Sequence, residues 1–196
     1  MGAAASRACL AAGLAALALL GGCAWTPVVH DDGSPGRLDV IFVPSAPEVV
    51  DAMLAAAQVG PDDIVYDLGC GDGDILIAAA QRHRARVVGV DLDPVRIRRA
   101  RLNAARAGVT ARAVFLEQDL FTTDVSLATV VALYLSPEVN ARLRPKLLRE
   151  LRPGTRIVSH DYGLGDWVPD RTIEVPLVRM HRVFLWRVPG GETAPR

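Results

Sequence analysis

One stretch constrains the fold more than any other: Val65-Tyr66-Asp67-Leu68-Gly69-Cys70-Gly71-Asp72-Gly73. A short β-branched run meets three closely spaced glycines, and a helical pattern follows at once. Glycines there let the backbone turn sharply and let a ligand approach with no Cβ in the way. A strand, a glycine turn and a helix in this order predict the first unit of an α/β sheet.

The rest of the chain continues that alternation. Ser45-Ala46-Pro47-Glu48 reads as a capping box with Ser45 as N-cap, opening a helix to about Val59. Strands are expected at 63–68, 86–91, 113–116, 128–135 and 155–160, with two more at 172–180 and 182–188 joined by a tight turn. Helices fall at 73–82, from Asp93-Pro94 to Gly108, and at 137–151, where Pro145 should split the last into two pieces. These elements predict an α/β domain over residues 39–189 with a seven-stranded, mostly parallel sheet. At 196 residues there is room for one such domain and one core. Lys plus Arg and Asp plus Glu both number 22, so the chain lacks the basic excess of a nucleic-acid binder.

Before that domain the grammar is different. Arg7 precedes an apolar run from Ala8 to Leu20, too short to span a bilayer, and small residues follow. Residues 1–22 read as a secretory signal, and Leu20-Gly21-Gly22-Cys23 resembles the lipobox of bacterial lipoproteins, which implies lipidation of Cys23. A plain signal peptide and an apolar N-terminal helix are the alternatives. Residues 23–38 are rich in Pro, Gly and Asp and read as a tether, and 190–196 as a disordered tail. Removal of Cys9 and acylation of Cys23 would leave Cys70 as the one thiol, with no intramolecular disulfide. The expected location is the cell envelope, on the periplasmic side, or the cytoplasm if the signal is not used.

The second strand ends in Asp91, 20 residues beyond Gly71. A carboxylate at that strand tip can accept from both hydroxyls of a ribose, so turn and tip together predict an adenosine-containing cofactor. Charge selects which. Asp72 and Asp74 stand in the turn, with Asp74 in the place of the third glycine of G-x-G-x-x-G, and both would repel a pyrophosphate. S-adenosylmethionine has no phosphate and carries a sulfonium and an ammonium. A nicotinamide or flavin nucleotide and a turn without ligand remain as alternatives.

DLGCGDG followed by GVDLD resembles motif I and the acidic strand-2 motif of class I S-adenosylmethionine-dependent methyltransferases. FVPSAPEVVDAML, LYLSPEVNARLRPKLLRELRPGTRIVSHDY and GDWVPD resemble bacterial relatives of the mitochondrial protein-lysine methyltransferases that act on the ATP-synthase c-subunit and the adenine nucleotide translocator. The likeness runs from about Phe42 to Pro189. It departs at Asp74, where Arg would be expected, and at Tyr162–Arg171, too short for the usual helix after strand 5. The resemblance implies a Rossmann-like seven-stranded methyltransferase sheet with an antiparallel C-terminal strand. It implies that Asp67, Gly69, Gly71 and Gly73 line the methionine and ribose part of S-adenosylmethionine. By the same likeness Asp91 holds the ribose, Leu92 packs on the adenine, and Asp119 with Leu120 meets the adenine edge. Pro44, within Val43-Pro44-Ser45, would wall the methionine end.

Methyl transfer needs alignment, a desolvated site and, for an amine acceptor, loss of a proton. Tyr134 at the end of strand 4 and His160 and Asp161 at the end of strand 5 are the catalytic candidates, and Trp167 a candidate pocket wall. Each also has a plain packing or hydrogen-bonding reading. Arg96, Arg98, Arg99 and Arg101 read as a solvated helix face. No metal site is expected: His30, His83 and His181 lie far apart in sequence and Cys70 has no CxxC partner. The expectation is a monomeric enzyme acting on protein lysine or on a small molecule; a non-catalytic nucleoside-binding envelope protein is the second class.

Overall fold

The computed structural model describes residues 43–190. The signal, Cys23, the tether and residues 191–196 lie outside the described residues. Helix α1 (Pro47–Ala56) leads into β1 (Ile64–Leu68), α2 (Asp74–His83), β2 (Arg86–Asp91), α3 (Pro94–Arg106) and β3 (Ala113–Glu117). Then come β4 (Val130–Leu133), α4 (Pro137–Glu150), β5 (Arg156–His160), β6 (Arg171–Pro176) and β7 (Met180–Arg187). The strands form one sheet in the order β3-β2-β1-β4-β5-β7-β6. Strands β1 to β5 pair in parallel, and β7 inserts antiparallel to both of its neighbours. That matches the expected sheet, including its antiparallel C-terminal strand.

Burial on both faces explains the strand sequences. Val65, Val87, Val130 and Val158 face a core with α1, α2 and α3, while Leu68, Val131, Leu133 and Ile157 face a second core with α4. Strands covered on both sides read as continuous apolar runs. The sheet order places β1 and β4 side by side in the middle, so their C-terminal ends open one shared crevice with those of β2 and β5.

Three local expectations are corrected. Pro145 does not split α4, which runs unbroken from Pro137 to Glu150. Pro145 is exposed, so the carbonyl it leaves unpaired one turn earlier faces water, where a lost helix bond costs least. Ser45 is not a cap: α1 starts from Ala46 with no side-chain cap, and the Ser45 hydroxyl turns to His160 instead. The helix also stops three residues early, at Ala56, and Gln58 takes a left-handed φ of 51° before Gly60. Asp93 and Ser136 do cap their helices, accepting from Val95 and Val139.

Candidate active site

The turn between β1 and α2 is held by the tip of β2. Gly69 and Cys70 donate to the Val90 carbonyl at 2.8 and 2.9 Å, and the Gly71 N–H donates to Asp91 Oδ2 at 2.9 Å. Asp91 Oδ1 accepts from the Asp93 N–H at 2.9 Å, so one carboxylate fixes two ligand-facing loops. Gly69 has φ 87°, and a Cβ there would lie 2.7 Å from the Leu135 side chain. This turn therefore abuts the loop after β4, which carries Tyr134. Gly73 has a different reason to be glycine: a Cβ would meet Phe115 at 3.0 Å and Ala100 at 3.2 Å, at φ 88°. Its lack of a side chain serves helix–sheet packing.

Carboxyl groups dominate the site. Asp67 is buried, and its side chain has no hydrogen-bond partner among the described residues. Burial, and then the charges of Asp91 and Asp74, push its pKa up from 3.8 to about 8. Burial also raises Asp91, against the pull of the N–H groups of Asp93 and Gly71, and burial followed by Asp72 raises Asp74. A buried carboxyl with two acidic neighbours favours a cation over an anion. The sulfonium and ammonium of S-adenosylmethionine suit it, and a pyrophosphate does not.

Of the two turn carboxylates that the sequence sets against a pyrophosphate, Asp72 and Asp74, the first is already paired. Asp72 is neutralised by Arg96 at 3.2 Å and Arg99 at 3.7 Å. The arginines of α3 are therefore not simply a solvated face, since Arg101 also donates to the Phe115 carbonyl at 2.6 Å. Leu92 and Asp119 are half-buried beyond β2 and β3, and Asp119 Oδ1 accepts from the Phe121 N–H at 2.8 Å, forming a tight loop. Leu120 packs on the second core, and Pro44 is exposed beside Ser45.

On the acceptor side, the ends of β4 and β5 bring three rings together. Tyr134 stacks on His160 with centroids 3.8 Å apart and on Tyr162 at 6.2 Å. His160 is fully buried, with Nδ1 2.9 Å from Ser45 Oγ and Nε2 2.8 Å from His181 Nδ1. Burial pulls its pKa down to about 4, so at neutral pH it is an uncharged hydrogen-bonding ring. Asp161 stands at φ 59°, a region that non-glycine residues rarely adopt; its N–H donates to the Arg182 carbonyl at 2.7 Å and its Oδ1 accepts from the Arg182 N–H at 2.9 Å. Burial would raise its pKa, but the Arg182 N–H and the Arg179 guanidinium outweigh that and hold it below the ordinary carboxylate range.

His181 and Arg179 were not among the sequence candidates. The antiparallel β5–β7 register, with His160 opposite Val183, carries His181 to the His160 ring. His160, Asp161 and His181 thus bring three metal-capable donors within 4.8 Å of one another, a grouping outside the set of His30, His83 and His181 that the sequence weighed. Their geometry is that of a hydrogen bond. The two ring nitrogens face each other at 2.8 Å, and Arg179 donates to the Asp161 oxygen that a cation would need. Trp167 does not wall this pocket: it packs on Trp186 at 6.1 Å and accepts the Trp186 indole N–H at its carbonyl.

Comparison with known proteins agrees with this geometry. A protein-lysine N-methyltransferase of Saccharolobus islandicus is 46% identical over 75% of this chain and 92% of its own. The adenine nucleotide translocase lysine N-methyltransferase of Mus musculus is 36% identical over 69% of this chain, which spans 58% of that protein's length. Among solved structures, an RNA methyltransferase from Salinibacter ruber in complex with S-adenosyl-L-homocysteine is 48% identical, with a TM-score of 0.74 over 78% of this chain and 97% of that one. A methyltransferase from Geobacter sulfurreducens, also in complex with S-adenosyl-L-homocysteine, is 30% identical with a TM-score of 0.55, over 61% of this chain and 50% of that one. Residues 67–171 match the family described as the ANTKMT methyltransferase domain. The chain belongs to that family and is an S-adenosylmethionine-dependent methyltransferase.

Proposed function

We propose that this enzyme methylates the side-chain amine of a protein lysine. The observation behind this reading is the acceptor end of the site: stacked Tyr134 and Tyr162 beside an ionised Asp161, a setting for a cation rather than for a neutral hydroxyl. The relatives named above as lysine methyltransferases support it. Bound S-adenosylmethionine supplies a methyl group already activated on a sulfonium. In this reading Asp91 holds the ribose and Asp67 faces the positive end of the methionine. Neutral His160, braced by Ser45, fixes the Tyr134 ring without adding a competing charge. Asp161, with its lowered pKa, is too weak a base to hold a lysine proton, so it orients the amine, and the proton leaves to solvent.

The Salinibacter neighbour is named for RNA. A formal charge of +0 gives this chain no excess with which to neutralise phosphates, and we favour protein over nucleic acid. We further propose that the enzyme is a monomer held at the cell envelope by lipid on Cys23, a reading supported by Arg7, the apolar run 8–20 and the lipobox-like Leu20–Cys23. Among the described residues no helix is long and apolar enough to cross a membrane. The test is calorimetry with S-adenosylhomocysteine followed by transfer of labelled methyl to host proteins. Donor binding with label on lysine supports the reading, and donor binding with label only in RNA or small molecules refutes it.

A further inference from the structure

The acceptor site already holds a cation of the protein's own. Arg179 projects from the turn between β6 and β7, and its Nη2 donates to Asp161 Oδ2 at 2.7 Å. Its positive charge also acts on the hydroxyls of Tyr134 and Tyr162, which places it on the side of the aromatic pair. The other groups near Asp161 Oδ2 are His181 Nδ1 at 3.3 Å and His160 Nε2 at 3.4 Å, and these two bond each other at 2.8 Å. Arg179 is therefore the closest partner of that oxygen. Nothing buries it: the side chain is 58% exposed, and its neighbours Val178 and Met180 are exposed as well.

We propose that Arg179 is a substrate-mimicking latch, filling the ammonium slot made by Asp161, Tyr134 and Tyr162 until the acceptor's amine displaces it. This rests on the lysine reading of the site. The exchange replaces one cation by another, so the half-buried Asp161 carboxylate is never left unpaired, which is the costly state. A neutral alcohol of the same size offers no charge and cannot make the exchange. The latch thus selects cationic side chains and weakens their apparent affinity by the fraction of time the slot stands closed.

The experiment uses the full-length chain saturated with S-adenosylhomocysteine, titrated with n-butylammonium as the lysine side-chain probe and with n-butanol as its neutral match. Arg179→Gln should bind n-butylammonium about 1.5- to fivefold more tightly, the range expected for releasing an exposed ion pair. Arg179→Lys, which keeps a competing cation, should stay within about twofold of the parent. Asp161→Asn should abolish the gain in either background, and n-butanol should bind equally to all variants. If Arg179→Gln binds n-butylammonium no better than the parent, or if Asp161→Asn retains the gain, the latch is overturned. A parent enzyme that methylates protein lysine while Arg179→Gln leaves the titration unchanged would remove the latch and leave the lysine reading intact. Label found only outside protein would remove the lysine reading whatever the titration gives.

Discussion

Replacing Asp67 by Asn should stabilise the ligand-free enzyme while destroying its donor site. The buried carboxyl has a pKa raised from 3.8 to about 8, so the native chain keeps a proton that the unfolded chain gives up between those values. Native-state stability therefore falls as pH rises through that window and levels off above pH 8. Each tenfold gain in proton affinity corresponds to ~1.36 kcal/mol, so the full cost at pH 8 is at most about 5–6 kcal/mol. An Asn in the same place leaves a buried amide unpaired, at about 1–3 kcal/mol. The net gain at pH 8 is then about 2 kcal/mol or more, which moves the unfolding midpoint of a domain this size upward by roughly 4–8 °C. At pH 5 the carboxyl costs only about 1–2 kcal/mol, comparable to the amide, so the two proteins should melt at similar temperatures. Thermal unfolding followed by circular dichroism at pH 5 and pH 8 reads both values, and added S-adenosylhomocysteine should raise the parent's midpoint but not the variant's. An Asp67→Asn protein that is less stable at pH 8, or whose difference from the parent does not grow with pH, would refute the assignment of Asp67 to a cation site.

Other outcomes follow from the same geometry. Asp91→Ala should lower S-adenosylhomocysteine affinity roughly 10–100-fold by calorimetry, through lost ribose bonds and through release of the Gly71 and Asp93 N–H groups that Asp91 holds. Gly73→Val should cost a few kcal/mol in denaturant unfolding, because its Cβ would press on Phe115 and Ala100 at a left-handed φ. His160 has a pKa lowered to about 4, so stability should fall as pH drops from 6.5 toward 4; His160→Gln should flatten that limb in acid titrations. If Cys23 is lipidated, mass spectrometry of protein from the native host should find a mature terminus at Cys23 with acyl mass added. An uncleaved, unmodified chain would place the enzyme with the cytosolic donor.

The parts legible in the sequence were those encoded locally. Gly69, Gly71 and Asp91 declared themselves because a sharp turn and a strand tip lie within one strand–helix–strand unit, where spacing fixes geometry. Tyr134 and His160 could be placed at strand ends, but their stacking depends on β4 and β5 lying side by side. Ser45 looked like a cap because its local pattern fits one, and a tertiary partner, His160, took its hydroxyl. Pro145 looked like a break because the penalty is written for a helix interior, and here solvent receives the freed carbonyl. His181 and Arg179 reach the site only through the antiparallel return of β7, a long-range pairing with no mark in either residue's neighbourhood. The adjacent apolar run at 183–186 was the one available signal, since it suits a strand buried within the sheet rather than at its edge.

Transfer of a methyl group from S-adenosylmethionine to a protein lysine can be observed in a single labelling experiment. The full-length enzyme and its Asp67→Asn variant are incubated with methyl-labelled S-adenosylmethionine and envelope proteins from a host strain lacking the gene, and the label is mapped by mass spectrometry. The parent enzyme should place label on lysine side chains of one or a few proteins, and the variant should place none. Label confined to RNA, to small molecules or to hydroxyl side chains, or equal labelling by both proteins, would contradict the lysine assignment.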